Sequence, residues 1–321
     1  MDRLFSLPSD PEVLLITPEE EKLRLDRLLA NRYPQHSRTY FQMLIDQGFV
    51  FLNGEPVKKR TIPEEGDEIE VCFQFPPESS IKPEPIPLQI LYEDDDLLAI
   101  NKPAGMVVHP APGHPSGTFV NALLAHCKQI ASLDPLRPGI VHRLDKETSG
   151  VLIAAKTALA HQKLVEKFAH REMEKTYLAI CAGKPRSGLI TAPIGRHRVH
   201  RKEMAILESG KEAISEIQVV AYNDKISLAL IKPKTGRTHQ IRVHLKHVGA
   251  PVLGDEVYGQ PRINQTFGVS RQMLHAYRLT FSHPITGEKI SLCAPLPEDM
   301  QSWIRQLCGP SLCQGNLASS S

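Results

Sequence analysis

Residues 139–150 read GIVHRLDKETSG, a string that sets one carboxylate, Asp145, between an apolar segment and a turn rich in Thr, Ser and Gly. The apolar run at 151–155 follows directly and predicts a buried strand. Loops held by strands often carry catalytic groups, so Asp145 is a candidate active-site residue. A turn aspartate that only bonds its own backbone fits the local sequence equally well.

Further strands and helices are predicted around this string. The apolar runs that predict strands are residues 97–100, 151–155, 214–222 and 226–231. Two helices interrupt them, one at about 158–169 behind the possible cap Thr157 and one around Ile241 that ends at Gly249. Strands joined by hairpins, with helices inserted, predict an α+β fold with a mixed, largely antiparallel sheet.

The front of the chain predicts a second, smaller α+β domain. Apolar residues recur at helical spacing after Arg24 and again after Ser37, a candidate N-cap, and Asn53-Gly54 is a strong hairpin turn signal. Repeated prolines then predict an extended linker. The expected organisation is a small domain at 13–75, a linker at 76–87, a large domain at 88–308 and a disordered tail at 309–321.

Charge is distributed unevenly along the 321 residues. The formal net charge is only +2, but residues 1–100 carry 10 basic and 20 acidic side chains, whereas residues 101–250 carry 23 basic and 11 acidic ones. A strongly basic middle segment favours a polyanion as partner, because lysine and arginine gain by releasing phosphate counterions. A solvated lysine-rich face would give the same count.

Two further strings are candidates for chemistry. Residues 232–244 read KPKTGRTHQIRVH, a basic turn leading into a helix that Thr238 could cap and whose N-terminus would favour an anion. Arg242 flanks the apolar stripe of that helix and could reach a carboxylate, whose ionised form it would favour. Tyr177 stands early in a predicted strand, where its ring could stack on an extruded base or simply pack in the core.

Several classes of protein are excluded by composition. No apolar run approaches the length of a membrane span, so we expect no membrane anchor. The six cysteines are scattered and form no C-x-x-C pair, so we expect no disulfide framework and no structural zinc site. His239, His244 and His247 lack a carboxylate at zinc-protease spacing, so no metal site is expected. Reduced thiols fit a cytoplasmic protein.

Together these strings resemble the RluA/RluD family of ribosomal large-subunit pseudouridine synthases. The strings at 100–106, 193–197, 254–259 and 274–297 extend the resemblance to about residue 300. Residues 13–72 resemble the alpha-L RNA-binding module first described in a small-subunit ribosomal protein. The resemblance favours the branches of the family that carry such a module, and the RluD-like branch first.

The resemblance implies an isomerase that converts specific uridines of 23S ribosomal RNA to pseudouridine by flipping the base, with no cofactor and no metal. It places the catalytic residue on Asp145, the active-site tyrosine on Tyr177 and the basic partner of the aspartate on Arg242. The expected RNA-binding residues are Arg143, Lys102, Arg237, His239, Gln240, Arg38 and Lys58. Ribosomal RNA or a pre-ribosomal particle is the expected partner of a monomeric protein.

Two alternatives remain at this point, and the family pattern is not matched everywhere. A non-catalytic RNA-binding assembly protein would use the same basic residues, and an N-glycosidase-like hydrolase could pair Asp145 with a second carboxylate such as Glu147. Glu203 stands where the family usually has a basic residue, and the usual Thr and aromatic are missing around 214–216. These departures concern RNA contacts and target choice, not the catalytic positions.

Overall fold

The computed structural model describes residues 11–309 apart from residues 19, 21, 34, 35, 37, 74–80, 112, 128, 129, 131–137, 201 and 202. The chain forms two compact units, and one of the boundaries between them lies after Lys82, inside the range predicted for the linker. The candidate cap Ser37, the first part of that linker and the tail beyond residue 309 lie outside the described residues. No helix in the described part of the chain is long and apolar enough to cross a membrane.

The first unit is a small α+β domain, as the sequence predicts. Its elements are β1 (Glu12–Leu15), α1 (Leu25–Arg32), α2 (Arg38–Asp46), β2 (Val50–Leu52), β3 (Glu55–Pro56) and β4 (Glu68–Val71). The strands form one antiparallel sheet in the order β1-β4-β2-β3. Asn53 and Gly54 both adopt positive φ, which is the conformation that the predicted hairpin turn requires.

Apolar spacing explains the packing of the first unit. Leu25, Leu28 and Leu29 of α1 are fully buried against Phe41 and Leu44 of α2 in a single core with the sheet. Because these positions recur every three or four residues, each helix turns one apolar stripe inward.

The second unit is built on a nine-stranded sheet. Its strands are β5 (Ile90–Glu93), β6 (Leu97–Lys102), β7 (Ser149–Ala155), β8 (Glu174–Ala182), β9 (Gly188–Thr191), β12 (Ile214–Tyr222), β13 (Ile226–Pro233), β14 (Leu274–Ser282) and β15 (Lys289–Cys293). A separate two-stranded sheet consists of β10 (Ile194–Arg196) and β11 (Met204–Ile206). The helices are α3 (Phe119–His126), α4 (Ala158–Ala169), α5 (Gln240–His247), α6 (Pro261–Thr266) and α7 (Glu298–Cys308).

The order of strands in the large sheet is β5-β6-β7-β14-β8-β13-β12-β9, with β15 beside β14. All pairs are antiparallel except β7 with β14, so the predicted mixed, largely antiparallel α+β fold is confirmed. The chain therefore places a late strand, β14, between two earlier ones. Ala276 of β14 pairs with Gly150 on one side and with Tyr177 on the other.

The helix that carries Arg242 begins differently from the prediction. Its N-cap is His239, in the left-handed conformation with φ 55°, and its side chain makes no capping hydrogen bond. The expected cap, Thr238, is therefore wrong by one residue. By contrast, the expected cap of α4 is confirmed, because the Thr157 side chain accepts a hydrogen bond from the Ala160 N–H at 3.3 Å.

Candidate active site

Asp145 lies in a short irregular segment between a buried leucine and strand β7. The Leu144 side chain is buried, and the Thr148 N–H donates to the Asp145 carbonyl at 3.1 Å, which closes a turn just before the strand. Upstream, His142 Nε2 accepts the Ile153 N–H at 3.0 Å, and its ring stacks on Phe168. Neighbouring secondary structure therefore holds the segment at both ends.

Gly150 shows why this string needs a glycine beside the strand. Its φ is +112°, and a Cβ at this position would lie 2.2 Å from the Ala276 carbonyl oxygen. Because that neighbour is backbone of β14, the two strands can approach only if residue 150 has no side chain.

The central contact of the site joins the two strings that the sequence singled out. Arg242 Nη1 donates to Asp145 Oδ2 at 2.9 Å. The same guanidinium is held from behind by Asp255, which accepts from Nε at 2.7 Å and from Nη2 at 2.9 Å. Arg242 is 6% exposed and Asp255 is 1% exposed. One buried cation thus bridges two carboxylates, and the bidentate pair fixes the direction in which its third nitrogen points.

The charge states of this cluster follow from its contacts. Burial alone would raise the pKa of Asp255, but hydrogen bonds and charge from Arg242 hold it below its usual value. For Arg242 burial opposes the charged form, yet the two carboxylates raise its pKa above its usual value. Asp255 therefore remains an anion whose oxygens are already engaged, and it is not a free acid or base.

His239 and Tyr258 form a second layer beside Asp145. His239 Nδ1 lies 2.8 Å from the Tyr258 hydroxyl, and its Nε2 lies 3.8 Å from Asp145 Oδ1. The Tyr258 ring packs under the guanidinium of Arg242, with Cζ 4.9 Å from the ring centroid. Burial lowers the pKa of His239, although the charge of Asp145 raises it.

Asp145, Arg242 and Tyr177 line one cavity of about 430 Å³. Basic side chains of Arg143, Lys175 and Arg237 also contribute to its wall, as do Phe168, Thr235 and Ile241. Burial raises the pKa of the Tyr177 hydroxyl, and the charge of Asp145 adds to the effect, so the ring stays neutral. A neutral aromatic face, a carboxylate and a basic rim are the groups that an extruded nucleotide would meet.

Two of the residues expected to bind RNA instead have buried structural roles. Lys102 is fully buried, and its Nζ donates to the carbonyls of Pro103, Met106 and Lys146 at 2.8–3.0 Å. Gln240 is 4% exposed, and it is bonded through its amide nitrogen to the Ile214 carbonyl at 2.9 Å. Both polar groups are therefore engaged inside the fold, and direct contact of these side chains with RNA stays a prediction.

The other expected RNA residues are accessible. Arg143 is exposed at the cavity, and Arg237 is half-buried there, with Nε donating to the Glu212 carbonyl at 2.9 Å. In the first unit Arg38 and Lys58 are exposed. One of the three histidines for which no metal site is expected, His244, has Nδ1 at 2.9 Å from the Ser215 hydroxyl and Nε2 at 3.0 Å from the Ala192 carbonyl.

Sequence reasoning missed the residues that orient the central pair. Asp255 and Tyr258 belong to the string GDEVYG at 254–259, which was singled out without any role for its members. A signal was present: an aspartate and a tyrosine between glycines, just after an apolar segment, are typical of a constrained polar turn. The sequence did not assign Arg242 as their partner, because the contact between Arg242 and Asp255, 13 residues apart, forms only when the chain after α5 folds back.

With the fold and site described, the chain can be compared with known proteins. The model of the RNA pseudouridylate synthase family matches residues 96–247, and the S4 domain model matches residues 23–69. A relative from Aquifex aeolicus strain VF5, named an uncharacterized RNA pseudouridine synthase, is 44% identical over 92% of this chain and 98% of its own length. The chain belongs to the RNA pseudouridylate synthase family and is an isomerase with an N-terminal S4 domain.

Particular relatives and solved structures agree with this assignment. The ribosomal large subunit pseudouridine synthase D of Pseudomonas aeruginosa is 42% identical over 88% of this chain and 91% of its own length. The structure of human RNA pseudouridylate synthase domain containing 4 superposes with a TM-score of 0.55 at 26% identity, over 68% of this chain and 92% of that one. The resemblance found in the sequence is thus confirmed, and the two non-family alternatives are not favoured.

Proposed function

We propose that this protein converts specific uridines of large-subunit ribosomal RNA to pseudouridine, with Asp145 as the catalytic carboxylate. The observation that carries the proposal is the placement of Asp145 in the 430 Å³ cavity beside Tyr177, with one oxygen fixed by Arg242 at 2.9 Å. The relatives that are named ribosomal large-subunit synthases supply the class of RNA.

The reaction requires one carboxylate and no redox partner. The C1′–N1 bond of uridine breaks, the base turns, and a C1′–C5 bond forms; the proton on C5 is lost and N1 ends protonated. An ionised Asp145 can serve by adding to the sugar or the base, or by removing a sugar proton. In each case Arg242 holds Oδ2, while Oδ1 lies 3.8 Å from His239, beyond hydrogen-bond length.

Tyr177 and Arg143 stabilise the RNA while the nucleotide is extruded. Taking a base out of a stack costs a few kcal/mol. Stacking on the Tyr177 ring offsets about 1–3 kcal/mol of that cost, by analogy with other base–aromatic contacts. The exposed Arg143, two residues before Asp145, fills the space that the base leaves.

RNA is held outside the reacting centre by basic groups on each unit. Arg237 and His239 stand at the cavity, and Arg38 and Lys58 are exposed on the S4 domain. These groups neutralise phosphates, which positions the RNA without reading its sequence. The protein acts as a monomer in the cytoplasm, on ribosomal RNA or on a pre-ribosomal particle.

Mapping pseudouridine in the ribosomal RNA of a strain that lacks this gene tests the target. We expect one or more large-subunit positions to remain uridine, to be restored by the wild-type gene and not by Asp145→Asn. The control is Asp224→Asn, which changes an exposed turn between β12 and β13 and should restore modification fully. Unchanged large-subunit pseudouridines in the deletion strain would overturn the proposed target.

A further inference from the structure

The three residues after Asp145 are each bonded to a side chain from another part of the second unit. The Lys146 carbonyl accepts from Lys102 Nζ at 3.0 Å, and the Glu147 carbonyl accepts from Arg271 Nη1 at 3.3 Å. The Thr148 hydroxyl accepts from Gln272 Nε2 at 2.5 Å. The position of this segment, and of Asp145 at its head, is therefore set from outside.

Arg271 is itself fixed by helix α7. Asp299, in the first turn of that helix, accepts from Arg271 Nε at 2.5 Å and from Nη2 at 2.6 Å. The remaining nitrogen, Nη1, is left to reach the Glu147 carbonyl and the Gln272 carbonyl. The helix is anchored by Met300 and Ile304, which are fully buried. Asp299 of α7 thus binds two nitrogens of the guanidinium, while Nη1 faces the Asp145 segment.

The backbone at Arg271 also contacts the turn that holds Arg242. A Cβ on Gly254 would lie 1.9 Å from the Arg271 carbonyl oxygen, so the two backbones are in close contact. Two residues on, the Met273 N–H donates to the Leu253 carbonyl at 2.8 Å. Gly254 directly precedes Asp255, the bidentate partner of Arg242. Residues 271–273 therefore contact the supports of both members of the Asp145–Arg242 pair.

We infer that Arg271, held by Asp299, is a positioning residue that sets Asp145 relative to Arg242. Arg271 acts through the Glu147 carbonyl. Both residues lie beyond the range that the family model matches, which ends at residue 247. The inference rests on the proposed catalytic role of Asp145, and it extends the catalytic unit to the C-terminal helix.

Arg271→Met tests this inference in the full-length protein. Methionine keeps the apolar stem and removes every hydrogen bond of the guanidinium. In single-turnover tritium release from C5-labelled RNA, we expect the rate constant at saturating enzyme to fall at least tenfold. The enzyme concentration at half-saturation should change by less than twofold, because the RNA contacts remain. Asp299→Asn, which leaves the guanidinium less firmly oriented, should give a smaller loss in the same direction.

The control is Lys156→Met, which breaks a similar ion pair of the second unit away from the site, with Glu93 at 2.9 Å. Its rate constant should equal that of wild type. Full activity of Arg271→Met would overturn the inference. The inference would also be overturned if a melting curve showed that the folded fraction of Arg271→Met falls by the same factor as its activity.

Amide exchange gives a readout that does not depend on activity. The Gly105 N–H donates to the Lys146 carbonyl at 2.9 Å and the Thr148 N–H to the Asp145 carbonyl at 3.1 Å. We expect both amides to exchange at least tenfold faster in Arg271→Met and to be unchanged in Lys156→Met. Unaltered exchange in Arg271→Met would contradict the positioning role, whether or not the protein is active. Absence of tritium release by the wild-type protein would instead contradict the proposed function.

Discussion

Replacing Arg242 with methionine should damage folding and catalysis through two different carboxylates. The change leaves Asp145 without its partner in the cavity, and it leaves Asp255 as an unpaired charge with 1% exposure. The first loss affects the reaction, and the second affects the stability of the fold. A second substitution, Asp255→Asn, can separate the two effects.

The magnitude follows from burial. Removing one partner of a buried ion pair costs about 3–5 kcal/mol, because the other charge stays in a poorly solvated place. For a domain of about 150–250 residues, about 1 kcal/mol corresponds to roughly 2–4 °C in melting temperature, so Arg242→Met should melt about 6–20 °C lower. The double variant Arg242→Met/Asp255→Asn removes the unpaired charge of Asp255. The amide introduced by Asp255→Asn keeps an Oδ1 that can accept the Val257 and Tyr258 N–H groups, as the carboxylate does at 2.9 Å.

The assay combines melting curves with single-turnover tritium release. The double variant Arg242→Met/Asp255→Asn should recover more than half of the lost melting temperature and still release tritium at least a hundredfold more slowly than wild type. Recovery of activity together with stability would refute a direct role of Arg242 at Asp145. A melting temperature of Arg242→Met equal to wild type would refute the buried-charge reasoning.

Three further predictions concern other parts of the molecule. Burial lowers the pKa of His275 to about 4, so this residue binds one more proton in the unfolded chain between about pH 6.5 and pH 4. The contribution of His275 to stability should therefore fall by about 1.4 kcal/mol per pH unit as pH drops through that window. Urea titrations at several pH values should give a shallower slope for His275→Gln than for wild type, and an equal slope would contradict this. Gly150→Ala should lower the free energy of unfolding by about 3 kcal/mol or more, since its Cβ would lie 2.2 Å from a backbone atom. Gly105→Ala, with nothing within 4 Å of its Cβ, should lower it by only about 1–2 kcal/mol. Equal melting temperatures of the two variants would contradict this. Replacing Lys58 with glutamine should weaken RNA binding and reduce the slope of log affinity against log salt by about 1, without changing the saturated rate. Arg38 is left in place because it pairs with the buried Asp26, Nη2 to Oδ2 at 2.8 Å. An unchanged slope would remove Lys58 from the RNA interface.

Local pattern was sufficient for the elements and for the members of the central pair. Helical spacing and turn residues predicted α1, α2 and the hairpin at Asn53-Gly54, because these depend on neighbours in sequence. Asp145 and Arg242 were found from strings whose residue types stand out within a few positions. Their 2.9 Å contact spans 97 positions in the chain, and the prediction that they meet came from family resemblance, not from periodicity.

What the sequence did not predict depends on long-range burial. Lys102 looks like a free cation in sequence, but it ends the buried strand β6 and its ammonium finds three carbonyls there. Arg271 reaches the Asp145 turn because it lies just before β14, which inserts between β7 and β8. Asp255 acquires its role when the chain after α5 folds back onto Arg242. Thr238 failed as a cap because His239, turned toward Tyr258, takes the cap position.

The most direct test of the account is the product formed by wild type and by Asp145→Asn on C5-tritiated large-subunit ribosomal RNA. We predict that wild type releases tritium and leaves pseudouridine in the RNA, with no free uracil. Asp145→Asn, which differs by one charged oxygen, should bind the RNA with unchanged affinity and release no tritium above background. Tritium release by Asp145→Asn at the wild-type rate, or free uracil as the wild-type product, would contradict the central claim.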